Sequence, residues 1–245
     1  MTKSSLQATF YPESTFGGFS DIDGTIAFYA RVNALIQPSF RIVDFGCGRG
    51  AQSEDPIIYR RELRCIKGKV ARIIGLDVDS KACYNPTLDE FRLLRNGSWP
   101  LENKSADLVI CDNVLEHVCY PETFFGEAGR VLVQGGYLCI RTPNALGYVG
   151  IAARLIPNSC HKSLLAKTQP DREDEDIFPT LYRCNTVWAI RKRMAISGFR
   201  AAVYGYEPEP SYLNFSKFAY GFGVLHQRFA PSFLKQAIFG FGQLL

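Results

Sequence analysis

The run Ile42-Val43-Asp44-Phe45-Gly46-Cys47-Gly48-Arg49-Gly50 constrains this chain more than any other stretch. A β-branched apolar pair leads into an acid and then into glycines at alternate positions. That is the pattern of a strand ending in a tight turn at a ligand. Glycine takes φ > 0 in such a turn, and its missing Cβ lets the backbone come against a bound group. Gly46-Cys47-Gly48-Arg49-Gly50-Ala51 also satisfies the G-x-G-x-x-G/A spacing that seats a dinucleotide pyrophosphate. The turn alone therefore leaves more than one nucleoside-containing ligand open.

Bulk properties narrow the class. A chain of 245 residues can bury a full core, and it fits one elaborated domain better than two. With 28 basic and 24 acidic residues the net charge is +4, too balanced for nucleic-acid binding. Eight dispersed cysteines without a C-x-x-C pair, Cys111 and Cys139 among them in apolar runs, read as buried reduced thiols of a cytoplasmic protein. The first residues lead into no apolar signal core, and no run of apolar residues is long enough to cross a bilayer as a helix.

Taken in order, residues 1–40 are expected to form an irregular arm and then a helix that starts after Asp23 and ends at Gln37-Pro38. That helix either packs on the sheet edge or covers the ligand, and both can hold at once. The first strand is about 41–45. Residues 55–68 look helical, and Val70 to Asp77 is a second buried strand ending in an acid. Open α/β sheets bind at the carboxyl ends of their strands, so Asp77 should lie beside the glycine turn. A carboxylate there can accept from both hydroxyls of a ribose, with Asp79 as a fallback; the plainer alternative is a helix cap. Asn85 to Arg95 reads as helical, Asn96 to Leu101 as a loop, and Ala106 to Asp112 as another strand.

Asp44 with its alternate glycines resembles the first motif of class I S-adenosylmethionine (SAM)-dependent methyltransferases. The strand ending at Asp112, followed by Asn113-Val114-Leu115-Glu116-His117-Val118, is similar to the signature after the fourth strand of the methyltransferases grouped as type 11 and type 23. Trp99-Pro100-Leu101 resembles the segment those enzymes place beside the adenine. Arg130 to Arg141 matches their helix end, Gly-Gly turn (Gly135-Gly136) and fifth strand. These motifs cover about 41–144.

The resemblance implies an α/β fold: a Rossmann-like, doubly wound, mostly parallel sheet with an insertion after the fifth strand and a helical, aromatic-rich C-terminal extension. It implies SAM as cofactor. Asp44 would then sit near the methionine end and Gly46, Cys47, Gly48 and Gly50 would admit the cofactor. Asp77 would hold the ribose, and Val78, Trp99 and Leu101 would sandwich the adenine. Asp112 belongs to the same cofactor edge. For a hydroxyl acceptor His117 is the candidate base, set against a purely ordering role, with Asp112 and His161 as further candidates. No carboxylate cluster of the sort a metal-dependent O-methyltransferase needs is apparent, so no metal site is expected.

Three parts follow from this: residues 1–40 as arm and helix, 41–210 as the SAM-binding domain, and 211–245 as an amphipathic extension. The insertion at 145–185 is too long for a plain connection and is expected to cover a small, sugar- or lipid-linked acceptor. Its run Asp171 to Asp176 reads as a solvated loop. Thr186 should cap a helix that ends at Gly198, with a strand over Phe199 to Tyr206. Ser211–Leu245 holds Lys217, Arg228 and Lys235 but no Asp or Glu, with aromatics at helical spacing before Pro231 and again after it. Such a segment either lies on an anionic membrane surface, as at the inner face of a membrane, or packs on the sheet edge or a second subunit. A nicotinamide-binding Rossmann oxidoreductase and a non-catalytic SAM-fold module with a recruiting tail are the alternatives to a methyltransferase.

Overall fold

The computed structural model describes residues 6–95, 97–155 and 179–245. Its strands are β1 (Arg41–Phe45), β2 (Arg72–Asp77), β3 (Glu90–Leu93), β4 (Ala106–Asp112), β5 (Leu132–Pro143), β6 (Phe199–Tyr206) and β7 (Ala237–Leu244). They form one sheet in the order β3-β2-β1-β4-β5-β7-β6. The first five run parallel, and β7 pairs antiparallel with both β5 and β6. The order reverses at β1, whose neighbours are β2 and β4, and the glycine turn follows that strand directly. This is the doubly wound architecture that the motifs implied.

Both faces are covered, which is why the central strands read as unbroken apolar runs rather than alternating ones. Helix α2 (Gly24–Leu35) lays Phe28, Tyr29 and Val32 on one face, over Ile42, Leu108, Ile110, Cys139 and Phe239. The other face carries Val43, Val109, Leu138 and Ile140 beneath α4 (Pro121–Val131) and α6 (Val187–Ile196). Short α1 (Leu6–Phe10), α3 (Ile58–Arg64), α5 (Tyr148–Leu155) and α7 (Lys217–Phe229) complete the helices of the described residues. Asp23 caps α2 by accepting from the amides of Thr25 and Ile26 at 2.8 and 2.9 Å. The Thr186 hydroxyl caps α6 by accepting from the Ala189 amide at 3.2 Å.

Two expectations about local structure are corrected. The stretch from Asn85 to Arg95 is not helical: it holds β3, which extends the sheet beyond β2. Of the two helical segments expected after residue 211, the first is α7, but the second is β7, so residues 237–244 are part of the sheet. Phe233, Ala237, Phe241 and Leu244 fit a helical period on paper. In the fold, Ile238, Phe239 and Gly240 are buried between β5 and β6, where the backbone is paired on both sides.

The two halves of this segment should respond oppositely to truncation. Phe239, 1% exposed and stacked on Tyr206 with ring centroids 4.5 Å apart, should cost about 3–5 kcal/mol on mutation to Ala. Phe218, 93% exposed, should cost less than about 0.5 kcal/mol. Urea denaturation of both variants checks this, and equal costs would remove the strand assignment.

Candidate active site

Three strands carry an acid at or one residue before their carboxyl end on one edge of the sheet: Asp44 in β1, Asp77 in β2 and Asp112 in β4. The glycine turn lies among them. The amides of Gly46 and Cys47 donate to the Leu76 carbonyl at 2.7 and 3.3 Å, and the Gly48 amide donates to Asp77 Oδ2 at 2.9 Å. Gly46, Gly48 and Gly50 have φ of +71°, +58° and +92°. A Cβ on Gly46 would stand 2.3 Å from Val114, and one on Gly50 would stand 2.7 Å from Asn85. At Gly48 nothing lies within 4 Å, so this turn opens outward at its middle glycine.

Asp77 is nearly buried. Its second oxygen, Oδ1, accepts from the Asp79 amide at 2.9 Å, so each carboxylate oxygen keeps one lone pair. Asp79, the fallback, is engaged elsewhere. Its Oδ2 receives Arg49 Nε at 2.8 Å and its Oδ1 the Lys81 amide, and these bonds hold its carboxyl below the usual range.

Asn85 escaped the sequence reading. Its side-chain amide donates to the carbonyls of Cys47 and Gly48, both at 3.0 Å, and so braces the turn from beneath. Gly75 was missed too: a Cβ there would sit 2.7 Å from Cys47 Sγ. Cys47 thus turns its side chain into the core, where burial pushes the thiol up, and only its backbone remains on the ligand side.

Asp112 is the most heavily bonded of the three acids. Arg141, its register partner on β5, donates Nε to Oδ1 at 2.5 Å and Nη2 to Oδ2 at 2.7 Å. The Tyr29 hydroxyl reaches Oδ2 at 3.0 Å and Asn113 Nδ2 reaches Oδ1 at 3.1 Å. Four donors fill four lone pairs, so Asp112 has no vacancy to accept a substrate proton, and its candidacy as a base is corrected. The same arrangement closes α2 over the edge. Arg141 Nη1 donates to Thr25 Oγ1 at 2.7 Å, and Arg60 on α3 bridges Asp23 and Asp55. Helix α2 therefore packs on the sheet face and covers the strand ends at once.

Asp44 has no such partner. Burial, and after it the Asp112 carboxylate, push its carboxyl from 3.8 up to about 7, against a smaller opposing pull from Arg64. The edge is thus negative and under-compensated, suited to a cation.

The adenine sandwich is not formed as expected. Trp99, 2% exposed, stacks on Phe45 with centroids 4.9 Å apart and lies tilted against Phe124, while Leu101 is buried in the same cluster. Neither offers an open face. Val78, 59% exposed beside Asp77, is the member of the trio that stays on the ligand side.

His117 ends the short turn Leu115–His117 after β4. Its Nδ1 lies 3.0 Å from the Pro179 carbonyl, a contact that needs the proton on Nδ1 and puts the imidazole lone pair on Nε2. Nε2 is 3.8 Å from Glu116 Oε1. Glu116 is buried, its other oxygen accepting from the Thr142 hydroxyl at 2.9 Å, and Thr142 in turn accepts from Asn185 at 2.6 Å. His161 and the acidic run lie outside the described residues. Sequence reading did not anticipate a second polar cluster. Glu207, just past β6, is buried and pushed up to about 7, with Oε2 3.4 Å from His226 Nδ1 on α7. The two are close in space but distant in sequence, and no motif links them. No group of three or more His, Cys, Asp or Glu among the described residues could hold a metal ion.

Residues 43–140 match the sequence family described as "Methyltransferase domain". The chain is 31% identical over 135 residues to the "Ubiquinone biosynthesis O-methyltransferase" of Xanthomonas oryzae pv. oryzae, covering 49% of this chain and 54% of that protein. It therefore spans about half the length of the curated relatives it matches. Among solved structures, a SAM-dependent methyltransferase from Archaeoglobus fulgidus superposes with a TM-score of 0.56 at 15% identity, over 96% of this chain and 99% of that one. Geranyl diphosphate C-methyltransferase from Streptomyces coelicolor gives 0.56 at 14% identity, over 91% and 77%. At these identities the superpositions establish the fold.

The lone carboxyl makes a prediction. Asp44 titrates near 7 when folded and near 3.8 when unfolded, so its neutral form favours the fold. That contribution is complete below about 3.8 and is lost as pH rises through about 7. Asp44→Asn should stabilise the ligand-free protein at pH 8 by on the order of 2–4 kcal/mol, a gain that fades toward pH 4. Thermal melts across that range would refute the strain if the variant were the less stable one at pH 8.

Proposed function

We propose that this protein, whose residues 43–140 match the methyltransferase-domain family, is a class I SAM-dependent methyltransferase that transfers the methyl group of SAM to a hydroxyl of a small acceptor. The observation that carries this reading is the join of the glycine turn to Asp77, with open space at Gly48 and one free lone pair on each carboxylate oxygen. The residues present fit the nucleoside: Asp77 receives the ribose hydroxyls, Val78 lies along the adenine, and the backbone of Gly46 to Gly50 takes the amino-acid end. Asp44 faces the positively charged groups, where its carboxylate gains the cation it lacks in the free protein. SAM supplies an activated methyl on a sulfonium; the chain aligns the acceptor with it and keeps water out beneath α2.

With a hydroxyl acceptor, the O–H proton must leave as the new bond forms. His117 takes that role through Nε2, its Nδ1–H held on the Pro179 carbonyl and its ring set beside Glu116. The name of the Xanthomonas oryzae relative, an O-methyltransferase, supports oxygen as the acceptor atom. The small-molecule class is also supported by the cover over the strand ends, where α2 and Arg141 close off room for a macromolecular surface.

Calorimetry with S-adenosylhomocysteine tests the donor site. Wild type should bind, and Asp77→Ala should bind at least about tenfold more weakly, the ~1.4 kcal/mol scale of a charge-assisted hydrogen bond. Equal affinity in the folded variant would dismiss the ribose role. A second measurement isolates Asp44. A cation binds the ionised carboxyl, so SAM affinity should rise about three- to tenfold between pH 6 and 8 and become flat in Asp44→Asn. A flat profile in wild type would place the cation elsewhere.

A further inference from the structure

Helix α7 is amphipathic in an unusual sense: its outward face is the apolar one. Tyr220, Gly223 and Val224 point inward, Tyr220 against Phe10 and Tyr11 with ring centroids 5.2 and 6.4 Å apart. The opposite face carries Phe218, Phe222, Leu225 and Phe229, exposed by 93, 62, 57 and 79% and spaced to form one stripe. Phe215, 74% exposed, extends the stripe at the helix start. Burying this much aromatic surface nowhere is unfavourable in water, so the stripe calls for a covering phase.

Charge selects the phase. Lys217 and Arg228 stand at the two ends of the helix, both exposed, and neither forms an ion pair among the described residues. From Ser211 to Leu245 there is no Asp or Glu at all. A second copy of this chain laid on the stripe would bring like charges together with no acid in the segment to answer them. An anionic lipid surface answers both features: phosphates meet Lys217 and Arg228, and the phenyl rings enter the boundary between headgroups and acyl chains. No helix of the described residues is long and apolar enough to cross a membrane, so contact through this helix would be interfacial.

We propose that α7 docks this protein on an anionic bilayer surface through Phe218, Phe222, Leu225 and Phe229. The inner side of the same helix faces the strand-end edge, where the His226 ring packs on Tyr148 at 5.3 Å and lies beside Glu207. Docking thus brings the acceptor side of the sheet toward the lipid, a route for an acceptor dissolved in the membrane. That last step rests on the transfer function proposed above; the docking itself does not.

The test is co-sedimentation of the full chain with vesicles of phosphatidylcholine alone and of phosphatidylcholine with phosphatidylglycerol in equal parts. Binding should favour the anionic vesicles and fall with added salt. The double variant Phe218→Ser/Phe222→Ser should lose about tenfold or more in vesicle affinity. Both positions are exposed, so its melting point and S-adenosylhomocysteine affinity should match wild type. Lys217→Gln/Arg228→Gln should weaken binding and remove most of its salt dependence. The proposal is overturned if neither vesicle pellets the protein, or if the folded phenylalanine variant binds as wild type does. It is equally overturned if light scattering shows a dimer that this variant dissociates, since the stripe would then belong to a second copy.

Discussion

The hydrogen bond from the Gly48 amide to Asp77 joins the ends of β1 and β2 into a single surface, and the rest of the site is built on it. With the Gly46 and Cys47 amides on the Leu76 carbonyl, it fixes where the turn stands relative to the neighbouring strand. Asn85 closes the arrangement from below by taking the two carbonyls that the turn leaves over. The turn is therefore held in place by the protein alone. Because Asp77 spends one lone pair of each oxygen on this structure, the two that remain are already oriented for the ribose of the proposed donor.

Charge is distributed unevenly along the same edge. Asp112 takes Arg141, Tyr29 and Asn113, while Asp44, in the adjacent strand, gets none of them. Placing a bidentate arginine on one acid gives α2 a fixed seat through Thr25 and Tyr29. Asp44, left without a counter-charge, has its carboxyl raised, and under the proposed function it is the place for the donor's positive charge. This is the exchange of stability for function often met where a carboxyl is shielded from water without a counter-charge.

Much of this was legible in the sequence because a strand that ends at a site has a local signature. Apolar runs closing on Asp44, Asp77 and Asp112 identify both the strands and the edge they share. What escaped has no such signature. Arg141 is visible only as a charge in an apolar run until β5 is aligned with β4, and Asn85 only as a residue before Pro86. The motif resemblance pointed Trp99 at the adenine, but it could not reveal that Phe45 and Phe124 would enclose the indole. In β7 the aromatic and glycine spacing suits two periods equally. Burial on both sides removes the alternation that separates strand from helix. Glu207 and His226 meet only because α7 folds back past the end of β6.

The place of β7 has a consequence for how the molecule is made. It lies between β5 and β6, yet it leaves the ribosome after both. Until it emerges, the nascent chain carries two facing strand edges with unsatisfied amides and the apolar bed that Phe239 will fill, a state open to mispairing with other chains. Completion of the sheet is thereby deferred until β7 has been made. The early-made glycine turn and acids can take shape while the far half of the platform still waits for its keystone.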